Sequence, residues 1–490
     1  MTSKELGMRT ENRWLALVVL CVGMLMIVLD VTVVNVALPS IQSDLHFSQS
    51  SLAWVVNAYL IAFGGLLLLA GRLGDLRSRR CVFLAGLAIF TVASLLCGLS
   101  SSQGMLVVAR FVQGVGGAMT SAVILGMIVT MFPEPGEQAK AIGVYAFVAS
   151  AGGSIGLLVG GTLTQAIDWH WIFFVNVPIG IATAFLARRL LRPDQGIGLD
   201  KGADIAGAVL ITGALMLGVY TIVKPAAEYG WGAGRTLALG AASLVLLAAF
   251  VAREARARNP LIPLRIFCSR NVSGANMIQA LTVAGMFGMF FIGSLYLRRV
   301  LGYGALEVGL AFMPTTLIMG MLSVRYSERL ITRYGARTTL IPGLVLMAAG
   351  LLLFTRTPIR GSYVTDVLPT LVLLGIGVGL SFAALMTLAM SGATASDAGL
   401  ASGLVNTTAQ VGGALGLAVL NTLAATRTHG LLVHGAGTAS ALTAGYHRAY
   451  LIAAVLMMAA IAVAVLALKR PAVRASDPKA AAAEPCAEMA

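Results

Sequence analysis

The sequence predicts an all-α, polytopic membrane protein of fourteen transmembrane helices, and three observations carry that prediction. Of 490 residues, 58% are hydrophobic and only 11% charged, whereas about a quarter of a soluble domain is charged. Apolar runs recur along nearly the whole chain. Most hold about 20 residues or more, enough to cross a bilayer core of about 30 Å at about 1.5 Å per residue. Lys and Arg also fall unevenly. With the N-terminus placed in the cytoplasm, 25 of the 34 lie on that side, 8 lie opposite, and Arg110 falls within a span. Positive charge marks the cytoplasmic side, so both termini are expected there.

Taken in order, the spans are 13–38, 52–71, 81–100, 104–131, 139–163, 170–191, 203–223, 235–252, 271–297, 305–325, 336–355, 366–390, 398–424 and 448–468. The first closes at Pro39. Lys4, Arg9 and Arg13 ahead of it imitate a signal peptide, but the run is too long and has no small-residue cleavage site, so it reads as a retained span. The loop GRLGDLRSRR (71–80) returns in weaker form as ERLITRYGAR (328–337). Leu73, Ser78 and Arg80 match Leu330, Gly335 and Arg337 in spacing. Such a repeat points to duplication and divides the spans as six, two and six. The expected units are an N-terminal half (1–191), two additional helices with their linkers (192–258), a C-terminal half (259–470) and a disordered cytoplasmic tail (471–490).

One carboxylate, Asp30, stands inside the first span. Insertion scales put its cost at about 2.5–3.5 kcal/mol, so it faces protein or water and is a functional candidate, with simple helix pairing as the plainer alternative. Counting from the outer boundary at 1.5 Å per residue, it lies about 12 Å deep, and Arg110 of span four about 9 Å. The two can therefore pair. Asn35, Asn57 and Gln113 fall near that depth and complete an expected polar cluster. Burial disfavours a charged carboxylate and a nearby guanidinium favours it, so movement of one against the other changes proton affinity. Spans nine to fourteen hold no ionisable residue at depth. Glu307, Asp366 and Asp397 sit at helix ends, where capping explains them.

In the 71–80 loop, Gly71 and Gly74 permit a tight turn, while Asp75 can pair with helix ends and arginines such as Arg79 and Arg80. That is a latch able to form in one conformation and break in another; basic residues holding topology are the plainer reading. Span five carries Gly152, Gly156 and Gly160, with Gly161 beside them. Glycines four apart let helix backbones touch in lipid, as rigid packing or as a pivot. Gly412 and Gly416 form a shorter stripe in span thirteen.

VLDVTVVNVALP (28–39), the 71–80 loop, RFVQGVGGA (110–118), GLLVGG (156–161) and WHWIFFVNVPIG (169–180) resemble signature segments of the major facilitator superfamily, specifically its fourteen-span drug/proton antiporter branch. NPLIPLRIF (259–267) and ASGLVNTTAQVGGALG (401–416) are similar to later segments of it. The resemblance implies export of small amphipathic compounds against proton influx, by alternating access between two six-helix halves. It implies that Asp30 carries the coupling charge, that Arg110 is its partner, and that the Asp75 loop gates the inner side. The chain departs from the branch at Leu157, where a proline usually follows the glycine equivalent to Gly156, and at Ser78, where a glycine is usual.

Other classes fit poorly. No lysine follows a glycine, so no GxxxxGK[ST] phosphate cradle for a primary pump exists. The histidines (46, 170, 429, 434, 447) are scattered at outer ends without metal-ligand spacing. The five cysteines are isolated. The +14 net charge lacks the aromatic interleaving of nucleic-acid binders. An enzyme, a cofactor, a metal site and a nucleic-acid partner are not expected, and no soluble output domain suggests a receptor. The expected partners are a small-molecule substrate, protons and the bilayer, with the protein acting as a monomer in the cell membrane. Export of an endogenous metabolite and proton-coupled import remain alternatives. A midplane pocket between halves could draw on Trp54, Tyr59, Gln279, Phe287, Phe291 and Met386, each of which ordinary packing also explains.

Overall fold

In the computed structural model, the described residues are all except 1–2, 133, 195, 197, 199–203, 258–259, 262–263, 391–397 and 469–490. The tail expected at 471–490 and Asp397 lie outside them. Fourteen long helices take the places of the fourteen predicted spans. They are α1 (Ser3–Asp44), α2 (Trp54–Leu76), α3 (Arg79–Gly98), α4 (Gln103–Met131), α5 (Pro135–Ala166), α6 (Asn176–Leu190) and α7 (Ile205–Val223). There follow α8 (Gly234–Glu254), α9 (Arg270–Arg299), α10 (Ala305–Arg325), α11 (Ala336–Phe354), α12 (Leu368–Met390), α13 (Ala398–Val433) and α14 (Thr438–Leu466). Among the described residues thirteen membrane-crossing helices are long and apolar enough, and α5 fills the fifth place.

Helix ends follow from local chemistry. Ser78, Ser102, Asp204 and Ser269 accept hydrogen bonds from amides in the first turns of α3, α4, α7 and α9, satisfying donors that a helix start leaves free. Glu307 accepts from Gly304 N at 2.6 Å, and Asp366 accepts from Ser362 N at 2.7 Å, so both act as the caps their positions imply. The first span differs from its reading: α1 runs through Pro39 to Asp44. Proline there forfeits the bond its missing N–H would donate and crowds the carbonyl of Asn35 one turn back, a local cost that the helix carries on past.

The two sets of six helices pack alike. In the first, α3 lies on α4, α2 on α4, α1 on α5, α1 on α6 and α3 on α6; in the second, α11 lies on α12, α10 on α12, α9 on α13, α9 on α14 and α11 on α14. These five contacts of one set correspond one to one with five of the other. The sets meet along two seams, α5 on α10 and α2 on α13, with α1 and α9 touching between them. The added pair is lopsided. α7 packs against α2, α13 and α8, whereas only 11% of the most apolar window of α8 is buried. Leu244 and Val245, both 67% exposed, face outward there, as a lipid-facing helix requires.

Candidate functional site

Five helices of the first half converge on Asp30. Its carboxylate Oδ2 accepts from Arg110 Nη1 at 2.5 Å, and Oδ1 accepts from Gln113 Nε2 at 2.7 Å and Asn176 Nδ2 at 3.5 Å. Arg110 also donates to Gln113 Oε1 (2.6 Å) and through Nε to Val55 O (2.9 Å). Its guanidinium carbon lies 4.5 Å from the centroid of the Tyr59 ring. Gln113 donates on to Ser94 Oγ at 2.8 Å. Asp30 and Arg110 are each 1% exposed and Gln113 is 0%. Among the described ion pairs it is the one buried on both sides. The network joins α1, α2, α3, α4 and α6, so a change of charge at one carboxylate bears on all five.

Depth along the sequence brought Asp30, Arg110 and Gln113 together, but not Asn35 and Asn57. Asn35 is five residues beyond Asp30, about 140° further around α1; it bonds Val31 O and faces a different space. Asn57 is about 200° from both Val55 and Tyr59 on α2, and its buried side chain has no hydrogen-bond partner. Ser94, Asn176 and the Val55 carbonyl were not anticipated. Ser94 and Asn176 carry one sequence signal, polarity within an apolar span, and Asn176 also stands in the 169–180 segment; a backbone carbonyl carries none.

The second feature is a cavity of about 360 Å³ between the two halves. Val31, Thr32, Asn35 and Leu157 line it from the first half; Gln279, Phe287, Ser381, Met386 and Gln410 are among its walls from the second. Of the pocket residues read from the sequence, Gln279, Phe287 and Met386 reach it. Tyr59 and Phe291 are buried in helix packing, Tyr59 against Arg110, and Trp54 is half-buried at the start of α2. The stripe Gly152, Gly156, Gly160 packs onto α1 within its own half, where an added Cβ on Gly160 would lie 2.9 Å from Val33 Cα. Gly161 instead meets α10: a Cβ there would lie 2.8 Å from Leu306 Cα and 2.9 Å from Ala305 O. No proline interrupts α5 at Leu157, and the helix runs unbroken to Ala166.

The third feature is the 71–80 loop. Asp75 pairs with Arg79 at 2.9 Å, and Arg79 Nη1 donates to Gly126 O and Thr130 Oγ1 of α4, both at 3.0 Å. A Cβ on Gly74 would press on Val123, while Gly71 lies beside Ala122. Arg80 Nη2 donates to Arg188 O at 2.5 Å. The residue that ties the loop down was not anticipated. Asp194, in the segment after α6, accepts from Ser78 Oγ (2.5 Å) and from the amides of Arg79 (2.7 Å) and Arg80 (3.2 Å). Partial burial works against its charge, but those hydrogen bonds outweigh it and hold its carboxyl below the ordinary range.

The family profile of the Major Facilitator Superfamily matches residues 20–417. The chain belongs to this superfamily. It is 40% identical to the puromycin resistance protein pur8 of Streptomyces alboniger, over 89% of this chain and 87% of that one. It is 39% identical to the cephamycin export protein CmcT of Amycolatopsis lactamdurans, over 96% and 95%. Its fold is similar to that of a bacterial homolog of the human lysosomal transporter Spinster in an inward-facing, unoccupied conformation. That match has a TM-score of 0.67 at 17% identity and covers 93% of this chain and 97% of that one. This member of the superfamily is therefore a multi-pass membrane transporter of small molecules and not an enzyme.

Proposed function

We propose that the protein is a secondary active exporter of small amphipathic compounds, antibiotics among them, driven by proton entry through alternating access. The sealed Asp30–Arg110–Gln113 network is the observation that carries this reading. A proton on Asp30 removes the charge that holds Arg110 and Gln113, loosening five helices together. Val31 and Thr32, next in sequence to Asp30, line the cavity, so a shift of α1 is felt by whatever occupies it. Substrate loading from the cytoplasm would favour release of that proton inward, and the empty carrier would take another from outside. Net charge crossing the membrane adds about 2.3 kcal/mol per charge per 100 mV.

In this reading the end bearing Asp75 and Asp194 is cytoplasmic, with both termini, and the protein works as a monomer in the cell membrane. The described hydrogen bonds between the halves lie at the other end: Leu306 N donates to Gln165 Oε1 at 3.0 Å, and Asn421 Nδ2 to Gln49 O at 2.7 Å. That end would be the outer seal. The loop anchored by Asp75, Arg79 and Asp194 would be the inner latch. Relatives named for resistance or export, of puromycin, cephamycin, tetracenomycin C and lincomycin, support the outward direction and the substrate class.

The test uses inverted proteoliposomes with an imposed pH gradient and labelled puromycin, tetracenomycin C and lincomycin. Wild type should concentrate at least one of them while the gradient lasts. Asp30→Asn should still bind it but fail to concentrate it. Equal accumulation by the two proteins would remove Asp30 from coupling, and no accumulation of any compound by wild type would refute the export reading.

A further inference from the structure

Asp30 is 1% exposed and is not among the described residues lining the cavity between the halves, so a proton has to reach it by another way. Residues 168–176 run from the outer end of the molecule down to the network. They include the one-turn helix Trp171–Phe174 and Asn176, the first residue of α6. Trp169 is 3% exposed although Asp168 and Trp171 on either side of the Trp169–His170 pair are exposed. Its indole Nε1 donates to Asp44 Oδ2 at 3.0 Å, at the end of α1. A buried indole N–H ordinarily finds a partner; here the partner is an exposed carboxylate, so the bond stands where interior meets water. The chain next to Asp44 is itself fixed, because Gln103 Nε2 of α4 donates to Leu45 O and His46 O, both at 3.0 Å.

From Trp169 a line of rings leads to the ion pair. Phe173 stands edge-on to Trp169, with centroids 6.3 Å apart, and is 0% exposed. The guanidinium carbon of Arg110 lies 5.7 Å from the Phe173 centroid. Three residues on, Asn176 Nδ2 reaches Asp30 Oδ1. Phe174 lies directly against Gly98 of α3, next to Cys97, whose Sγ is 3.6 Å from Gln113 Oε1. The stretch is thus held at Asp44 on the water side and at Asp30 within, with aromatic rings between. His170 stacks on Trp169 with centroids 3.7 Å apart and pairs with the exposed Asp168 at 2.9 Å, so the titratable groups beside Trp169 belong to the water side.

Resting on the exporter reading and deepening it, we infer that Trp169 is the outer gate of the coupling site. Its hydrogen bond to Asp44 keeps Trp169 and Phe173 seated over Arg110, and breaking that bond lets outside water deliver a proton to an Asp30 carboxylate oxygen. Trp169 and Asp44 are positioning residues: they act on Asp30 through Phe173 and Arg110. Water competes for the exposed Asp44 carboxylate, so the bond can break and re-form within a transport cycle.

Cys97 is a native reporter of this opening, since it is buried and touches the network. The full-length protein with Cys97 as its single cysteine is placed outer face outward in proteoliposomes. An impermeant label, sulfonatoethyl methanethiosulfonate, is added outside, and pyranine in the lumen reads substrate-free proton entry under an imposed gradient. Trp169→Phe keeps a ring but removes the donor, and Asp44→Ala removes the acceptor. Each should speed both labelling and proton entry about three- to tenfold, as loss of one hydrogen bond does. The double variant should match either single one, because both remove the same bond. Asp44→Asn retains an oxygen acceptor and should stay near wild type. Protein whose single cysteine is Cys21, buried in the inner half of α1, should remain unlabelled in every variant, whereas general loosening exposes both cysteines. Wild-type rates in Trp169→Phe and Asp44→Ala overturn the inference. So does labelling of Cys21 in step with Cys97, or Asp44→Asn as fast as Asp44→Ala. The antibiotic panel tests the exporter reading separately: the expected labelling order with no compound accumulated upholds the gate and removes export.

Discussion

The two six-helix halves share a packing plan and differ in the chemistry placed on it. A Cβ on Gly116 of α4 would lie 2.8 Å from Gly86 O, and one on Gly377 of α12 would lie 2.6 Å from Gly343 O. Gly114 meets Tyr59 O as Gly375 meets Thr315 O, while Gly156 and Gly160 meet Leu29 and Val33 as Gly412 and Gly416 meet Ala280 and Ala284. Counting from these contacts, Arg110 corresponds to Leu371, Gln113 to Leu374 and Asp30 to Leu281. Leu371 and Leu374 are both 0% exposed. The same helix crossings thus close over leucine in one half and over an ion pair in the other. Packing does not require the charges. Replacing a buried ion pair with well-packed apolar groups is often neutral or stabilising, whereas removing one partner costs about 3–5 kcal/mol. The second half shows what the first would be if stability alone decided.

The largest effects come from carrying that comparison into the protein. The combined substitution Asp30→Leu, Arg110→Leu, Gln113→Leu, which imposes the second half's pattern on the first, should keep the fold, with a thermal midpoint close to wild type, and lose all gradient-driven transport. Arg110→Leu alone should be far worse folded, because it strands Asp30 without its counter-charge. Midpoints in detergent and monodispersity on gel filtration would settle the order. A triple variant less stable than the single one would mean that the halves are not equivalent at these positions.

A smaller effect separates the two seams. α5 meets α10 backbone to backbone at Gly161, while α13 meets α2 through side chains such as Gln410 against Gly64, with Asn421 bonding the Gln49 carbonyl just before α2, and α7 lies alongside. Gly161→Val forces the backbones apart, an overpacking cost of about 1–3 kcal/mol. Asn421→Ala removes a hydrogen bond worth about 1 kcal/mol. An impermeant maleimide added outside should therefore label Gln279→Cys, in an otherwise cysteine-free background, faster in Gly161→Val than in Asn421→Ala. The reverse order would make the α2–α13 seam the weaker part of the seal.

What could be read from the sequence follows from which forces are local. Span lengths, caps such as Glu307 and Asp366, and the matching depth of Asp30 and Arg110 depend on rise per residue and on neighbours within a turn. Rotation about the helix axis is set by tertiary packing, which is why Asn35 and Asn57 share the depth of Asp30 and not its network. Contacts between distant segments leave still less trace. Asp194 stands in a polar, Pro-containing stretch 115 residues from Arg79, and its capping role has no local signature.

That contact gives the smallest expected effect and a comparison within the latch. Asp75 is an exposed partner four residues from Arg79, a type of pair worth about 0.3–0.5 kcal/mol. Asp194 instead caps the start of α3 with a hydroxyl and two amides, an arrangement worth about 1 kcal/mol. Asp194→Asn should therefore lower the thermal midpoint more than Asp75→Asn. The pH dependence has a definite sign. Because the folded protein holds the Asp194 carboxyl below its ordinary range, its contribution is complete above the unfolded-chain value of about 3.9 and is lost as pH falls through the folded one. The gap between wild type and Asp194→Asn should thus be equal at pH 7 and pH 5 and shrink only below about pH 4. A gap that closes between pH 7 and 5 would show that the charge on Asp194 is not what ties the loop to α3.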